Sequence, residues 1–195
     1  MTRSADISRT TNETDIRLSL TLDGTGAGTR TTGVGFFDHL LDALAKHGAL
    51  DLDVETKGDL ATGPHHTVED TGLALGAALD EALGDRSGIV RFGHAVVPMD
   101  DARASAAIDI SGRPYTAFEA ELAPVSIGGF DADLAEEFFR AVANSAKLTL
   151  HVSVECGHNA HHIVEASFKA FARALREAVA IDPNESGVPS TKGLL

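Results

Sequence analysis

One five-residue pattern occurs twice in this chain and constrains its folding more than any other feature. His65-His66-Thr67-Val68-Glu69 returns 96 residues later as His161-His162-Ile163-Val164-Glu165. Each copy ends the same succession of segments. Leu50, Leu52 and Val54 alternate with Asp51, Asp53 and Glu55, and Leu148 to Val154 alternates likewise, the two runs starting 98 residues apart. That is the period of a half-buried strand. Before the first run, Phe37, Leu40, Leu41 and Leu44 fall at i, i+3, i+4 and i+7, with Gly48 as the expected C-cap; before the second, Asp133 to Ala146 has helical spacing. Helices are predicted to follow from each motif, to about Leu83 and about Ala180. Self-similarity of this kind marks an internal duplication. The expectation is one α+β domain over 1–195, made of two pseudo-repeats, about 10–95 and about 96–182, plus a Pro/Gly/Ser-rich tail over 183–195. Halves with helices on one face of a small sheet pack helix against helix with the sheets outward.

The remaining elements are weaker. Ile16, Leu18, Leu20 and Leu22 alternate as a strand, and Asp23-Gly24 suggests a hairpin whose partner is 29–34. The glycines of Gly24-Thr25-Gly26-Ala27-Gly28 suit that turn better than a nucleotide loop, since no Gly-Lys-Ser/Thr follows. Ile89 to Leu122 is expected to form strands, with a turn at Ser111-Gly112-Arg113-Pro114. A net charge of −13, without a basic block, argues against nucleic acid. No segment approaches the roughly eighteen apolar residues of a membrane span, and the polar start, Met1 to Asp15, lacks a secretory core. A cytoplasmic protein with no membrane partner is expected. Cys156, the single cysteine, excludes an intrachain disulfide and is read as a buried bystander.

The doubled motif points to metal chemistry. Neutral imidazole and carboxylate suit zinc, manganese, iron, cobalt or nickel. Neighbouring histidines on a helix diverge by about 100°, so one ion cannot easily take both. Two ions, each taking His and Glu from one motif and the remaining His from the other, satisfy all six groups. A fourth ligand can come from the preceding helix, where His39 has Glu137 as its counterpart 98 residues on. The expected sets are His39, His66, Glu69 and His161, and Glu137, His65, His162 and Glu165. His47, His94, His151 and His158 stand alone and are expected to be ordinary or supporting histidines. Ligands of His and Glu without Cys favour open, reactive sites over closed structural ones.

At whole-chain level the sequence resembles the imidazoleglycerol-phosphate dehydratases of histidine biosynthesis. The resemblance runs through Asn12-Glu13-Thr14, Leu22-Asp23-Gly24-Thr25-Gly26, Phe37-Asp38-His39, both HHxxE motifs, Arg91-Phe92-Gly93, Ser111-Gly112-Arg113-Pro114, Phe168-Lys169-Ala170 and Pro189-Ser190-Thr191-Lys192-Gly193. It implies a duplicated fold like domain 2 of ribosomal protein S5, with helices between two four-stranded sheets. It also implies two manganese(II) ions per active site, and trimers assembling into an octahedral shell with active sites between subunits. The implied reaction is loss of water from imidazole glycerol phosphate to give imidazole acetol phosphate, with Lewis acids on the ring nitrogens compensating for a carbon that no carbonyl activates. Glu13 is then the acid/base residue. His47, Arg91, Arg113, Lys169, Ser190, Thr191 and Lys192 join it in binding substrate, chiefly its phosphate. Members of the family commonly carry His where this chain has Glu137. The rival from another class is a non-catalytic metal-binding shell protein, and a metal-dependent hydrolase is a weaker third.

Overall fold

The computed structural model describes residues 2–195. Its first half runs β1 (Ser4–Thr10), β2 (Thr14–Thr21), β3 (Arg30–Thr31), α1 (Gly35–Gly48), β4 (Asp51–Gly58) and α2 (His65–Leu83). The second runs β5 (Phe92–Met99), β6 (Ala102–Asp109), β7 (Tyr115–Glu119), the small hairpin β8 (Ser126–Ile127) and β9 (Phe130–Asp131), α3 (Leu134–Ala146), β10 (Thr149–Cys156) and α4 (Ala160–Ala178). The sheet order β1-β2-β4-β3 recurs as β5-β6-β10-β7. In both, the first three strands are antiparallel neighbours and the last pairs parallel. The duplication expected from the motif is therefore a duplication of topology. The halves open at Ser4 and Phe92, a few residues ahead of the boundaries near 10 and 96.

Alternation places Ile16, Leu18 and Leu20 of β2 with Leu52 and Val54 of β4 on one buried face, and Ala104, Ala106 and Ile108 of β6 with Leu150 and Val152 of β10 on another. α2 covers the first sheet and α4 the second, while α1 packs on α4 and α3 on α2. The helical layer thus lies between the sheets, and each helix pair joins one half to the other. Phe37, Phe138, Phe139, Phe168 and Phe171 fill its centre, fully buried. Phe138 stacks on Phe168 at 4.9 Å between ring centroids, and such pairs add about 0.5–1.5 kcal/mol beyond area burial.

Helices α2 and α3 approach closely because α2 carries glycine on the contact face. A methyl group at Gly76 would stand 2.5 Å from the Val142 carbonyl oxygen and 2.6 Å from Ser145 Cβ. Gly76→Ala is expected to destabilise the fold by about 2–3 kcal/mol through overpacking, seen as a lower urea midpoint at unchanged m-value. An unchanged midpoint would mean that the helices separate without cost.

Three local expectations are corrected. Residues 29–34 do not pair with β2: β3 lies parallel beside β4. The Asp51 carboxylate accepts from the backbone N–H of Thr25 and Ala27, and Asp53 from that of Thr29, so the glycine-rich loop is drawn along β4. The left-handed residue closing α1 is Ala49 (φ 52°), not Gly48. Cys156 is exposed, because a register shift between Val154 and Cys156 ends the regular pairing of β10.

Candidate active site

The first turns of α2 and α4 hold both motifs. Asn159 starts α4 by accepting the backbone N–H of His161 at 2.9 Å, an N-cap of the favoured type. Within each motif the first His and the Glu meet, at i and i+4. His161 Nε2 lies 3.1 Å from Glu165 Oε2, and His65 Nε2 lies 3.6 Å from Glu69 Oε2. The expected i, i+3 pairings, His66 with Glu69 and His162 with Glu165, are not made in the chain. Four residues turn a helix about 40° past a full turn and three fall about 60° short, so the i+4 neighbour is better aligned.

His39 comes to the second motif from α1. Its Nε2 is 3.3 Å from Glu165 Oε2, and the donor atoms of His39, His161 and Glu165 all lie within 4.8 Å of one another. This is the only such trio among the described residues. It differs from the expected set of His39 with His66, Glu69 and His161, because the α1–α4 contact brings His39 to Glu165. Phe36 packs on His161 with centroids 4.6 Å apart, closing one side. Burial works to raise the Glu165 carboxyl, but hydrogen bonds from Lys169 and His39 outweigh it and hold the group below its ordinary value. Lys169 Nζ reaches Glu165 Oε1 at 2.7 Å, leaving Oε2 to the imidazoles. Burial first, then Lys169 and Arg173, lowers the pKa of nearby His47.

The other half repeats the arrangement incompletely. Glu137 sits on α3, which packs against α2 as α1 packs against α4. Its oxygens lie 3.0 and 3.3 Å from Arg140 Nη1, so Glu137 forms an ion pair rather than joining His65 and Glu69. Glu13, in the β1–β2 turn, places Oε1 3.6 Å from His66 Nε2.

A separate cavity of about 430 Å³ is lined by Arg91, Ser111, Arg113, Ser190, Thr191 and Lys192. Asp109 pairs with Arg91 Nε and Nη2 at 2.7 and 3.2 Å, while Arg91 Nη1 donates to the Pro189 carbonyl at 2.7 Å. The tail is thereby anchored beside the arginines. Lys169 and His47 do not line this cavity; they belong to the surroundings of Glu165.

Three carboxylates to which the sequence assigned no role fix these elements. Asp70 is buried and takes Arg9 of β1 and Thr14 of β2, fastening α2 beneath the sheet. Asp59 lies 3.0 Å from His66 Nδ1; hydrogen bonds from Thr62, then His66, keep its pKa low, and Asp59 in turn raises that of His66. Asp101 lies 2.6 Å from His162 Nδ1 and accepts the backbone N–H of His158 and Asn159. Those bonds, His162 first, hold it well below the usual carboxylate range. No local pattern singles out Asp101, which lies 61 residues from His162, and Asp59, seven residues before His66, sits in a loop whose irregular course has no period.

A family model for imidazoleglycerol-phosphate dehydratase matches residues 32–175, which contain both motifs, His39 and the α1–α4 trio. The chain belongs to the imidazoleglycerol-phosphate dehydratase family. Similar members include those of Gluconacetobacter diazotrophicus, 58% identical over 99% of this chain and 98% of the relative, and Methanoculleus marisnigri, 56% identical over 99% and 100%. Glu13 and the Ser190–Lys192 segment lie outside the matched stretch but within a region that these family members cover almost end to end. Among solved structures, the family member from Staphylococcus aureus matches with TM-score 0.83 and 40% identity over 92% of this chain and 99% of that one. The Pyrococcus furiosus member, in complex with (S)-C348, gives 0.85 and 38% over 97% and 100%. The two-sheet, four-helix architecture is thus the family fold.

Proposed function

We propose that this protein dehydrates imidazole glycerol phosphate to imidazole acetol phosphate, using two manganese(II) ions per active site. Family membership supports the substrate and the loss of water. The convergence of His39, His161 and Glu165 is the single observation that carries the metal requirement. Two imidazole nitrogens and one buried carboxylate oxygen, with no thiolate, fit a first-row divalent ion at a site left open to other ligands. His65 and Glu69, with Glu137 released from Arg140, would hold the second ion.

Among the described residues, His66 and His162 join no such trio in their own chain. Their place in this scheme is at sites completed by a second copy, which favours catalytic centres between subunits and a homo-oligomer, trimers building an octahedral shell. With no helix long and apolar enough to cross a membrane among the described residues, the proposed setting is the cytoplasm.

The ions, when bound, supply Lewis-acid stabilisation of charge on the substrate's imidazole ring. The chain's own groups do the remaining work. Arg91 and Arg113, with Ser190 and Lys192, grip the phosphate by charge-assisted hydrogen bonds. Holding that end fixes the reacting carbons. Glu13, solvent-facing beside His66, takes and returns protons at its carboxylate. Lys169 keeps Glu165 ionised and its Oε2 turned to the imidazoles.

The test is ketone formation from imidazole glycerol phosphate by metal-stripped protein, with and without manganese(II). Activity lost on stripping and restored by manganese is expected. No turnover by assembled, manganese-loaded protein would favour the non-catalytic shell. For the phosphate grip, Arg113→Ala is expected to raise KM about 10–100-fold, the equivalent of one charged hydrogen bond, with the metal content unchanged. An unaltered KM would remove Arg113 from the substrate.

A further inference from the structure

His66 and His162 are the second histidines of the two motifs, and each has an aspartate on its inner nitrogen. His66 Nδ1 meets Asp59, and His162 Nδ1 meets Asp101. A carboxylate can only accept, so the imidazole nitrogen facing it carries the proton. In the neutral ring this leaves the lone pair on Nε2, which stands 3.6 Å from Glu13 in His66 and 3.5 Å from Asp100 in His162, farther in each case than the aspartate on Nδ1.

The two aspartates are unrelated by the duplication. β2 spans 14–21 and β6 spans 102–109, an offset of 88 that the β1–β2 and β5–β6 registers keep, so the counterpart of Asp101 is Glu13. Asp59 lies after β4, and its counterpart, 98 residues on, is Gly157. Non-equivalent positions thus supply the same contact to equivalent histidines. Helix packing does not explain this coincidence, because neither aspartate belongs to the helix it serves.

We propose that Asp101 and Asp59 are positioning residues that hold His162 and His66 with the proton on Nδ1 and the lone pair on Nε2, ready to ligate a divalent ion. The ligand role rests on the metal reading above, whereas the tautomer does not. One corollary is that the β5–β6 turn, although equivalent to the turn carrying Glu13, orients a ligand and supplies no second acid/base.

Asp101→Asn separates orientation from folding. Asp101 Oδ2 already accepts the two backbone N–H groups of His158 and Asn159, while Oδ1 faces His162. The carboxamide oxygen takes the Oδ2 place, so its NH2 group confronts His162 Nδ1 and drives the proton to Nε2. The probes are solid-state 15N spectra of histidine-labelled, metal-stripped protein and titration of the same protein with manganese(II). Wild type is expected to show His162 protonated on Nδ1. In Asp101→Asn the expected results are one histidine protonated instead on Nε2, an unchanged thermal midpoint, and affinity for one of the two ions lower by about 10–100-fold. Asp59→Ala is expected to weaken the other ion. A His162 tautomer identical in wild type and variant would overturn the proposal, as would a switched tautomer with both affinities intact. Wild-type protein that shows the Nδ1 proton but binds no manganese would overturn the metal reading and the ligand role, leaving the orientation standing.

Discussion

Glu165→Gln is expected to lower turnover of imidazole glycerol phosphate by about 10³-fold, the scale of losing a preorganised charged group at a reacting centre, and to lose one of two manganese ions per chain. The substitution keeps the shape of the side chain and removes only its charge. That charge is the shared partner of His39 and His161, at 3.3 and 3.1 Å, and sits on a buried side chain at the foot of two partly exposed imidazoles. The fold is expected to survive, because Lys169 is partly exposed and can turn its ammonium to solvent. Steady-state kinetics with metal counting and circular dichroism on the same sample check this. Full activity, or retention of both ions, would dismiss the trio as a metal site.

Glu13→Gln is expected to act differently: kcat falls about 10²–10⁴-fold, the range of general acid–base catalysis, while both ions stay bound and KM changes little. The turn that carries Glu13 is fixed without its side chain. Thr11 Oγ1 accepts the backbone N–H of Glu13 and Thr14, and the Glu13 carbonyl accepts from Asp59 N–H. Removing the carboxylate therefore removes chemistry rather than structure. Intact turnover with unchanged metal content would reassign the proton transfer.

The parts of the fold legible in the sequence were those with a strong period. β2, α1, β4, α3 and β10 each carry clean alternation or helical spacing, the doubled motif placed α2 and α4, and the repetition exposed the duplicated architecture. β1 escaped because Ser4, Asp6, Ser8 and Thr10 surround only Ala5 and Ile7 as apolar inward residues. β3 was paired wrongly because adjacency in sequence favours hairpins, whereas the Asp51 and Asp53 carboxylates, which hold the loop along β4, act from more than twenty residues away. At the site, residue types were readable and groupings were not. His39, Glu165 and His161 were all named; the His161–Glu165 contact follows from helix geometry within α4, but the arrival of His39 depends on how α1 crosses α4, and no helix announces its partner. Asp101 reaches His162 from a turn 61 residues away, and Asp59 lies in an irregular loop before α2 with no period to aim its side chain at His66.

The crossed packing of the helices has a consequence for how such a chain could have arisen. His39 belongs to the first half and His161 and Glu165 to the second, while Glu137 of the second half stands on the helix packed against His65 and Glu69 of the first. A half-length ancestor could not have gathered a trio from its own residues. It would have needed a twin, packed helix layer to helix layer about a twofold axis, to gather His39-type and HHxxE-type ligands together. Joining the halves in one chain makes that pairing permanent and leaves twin positions free to differ, as His39 differs from Glu137 and Glu13 from Asp101.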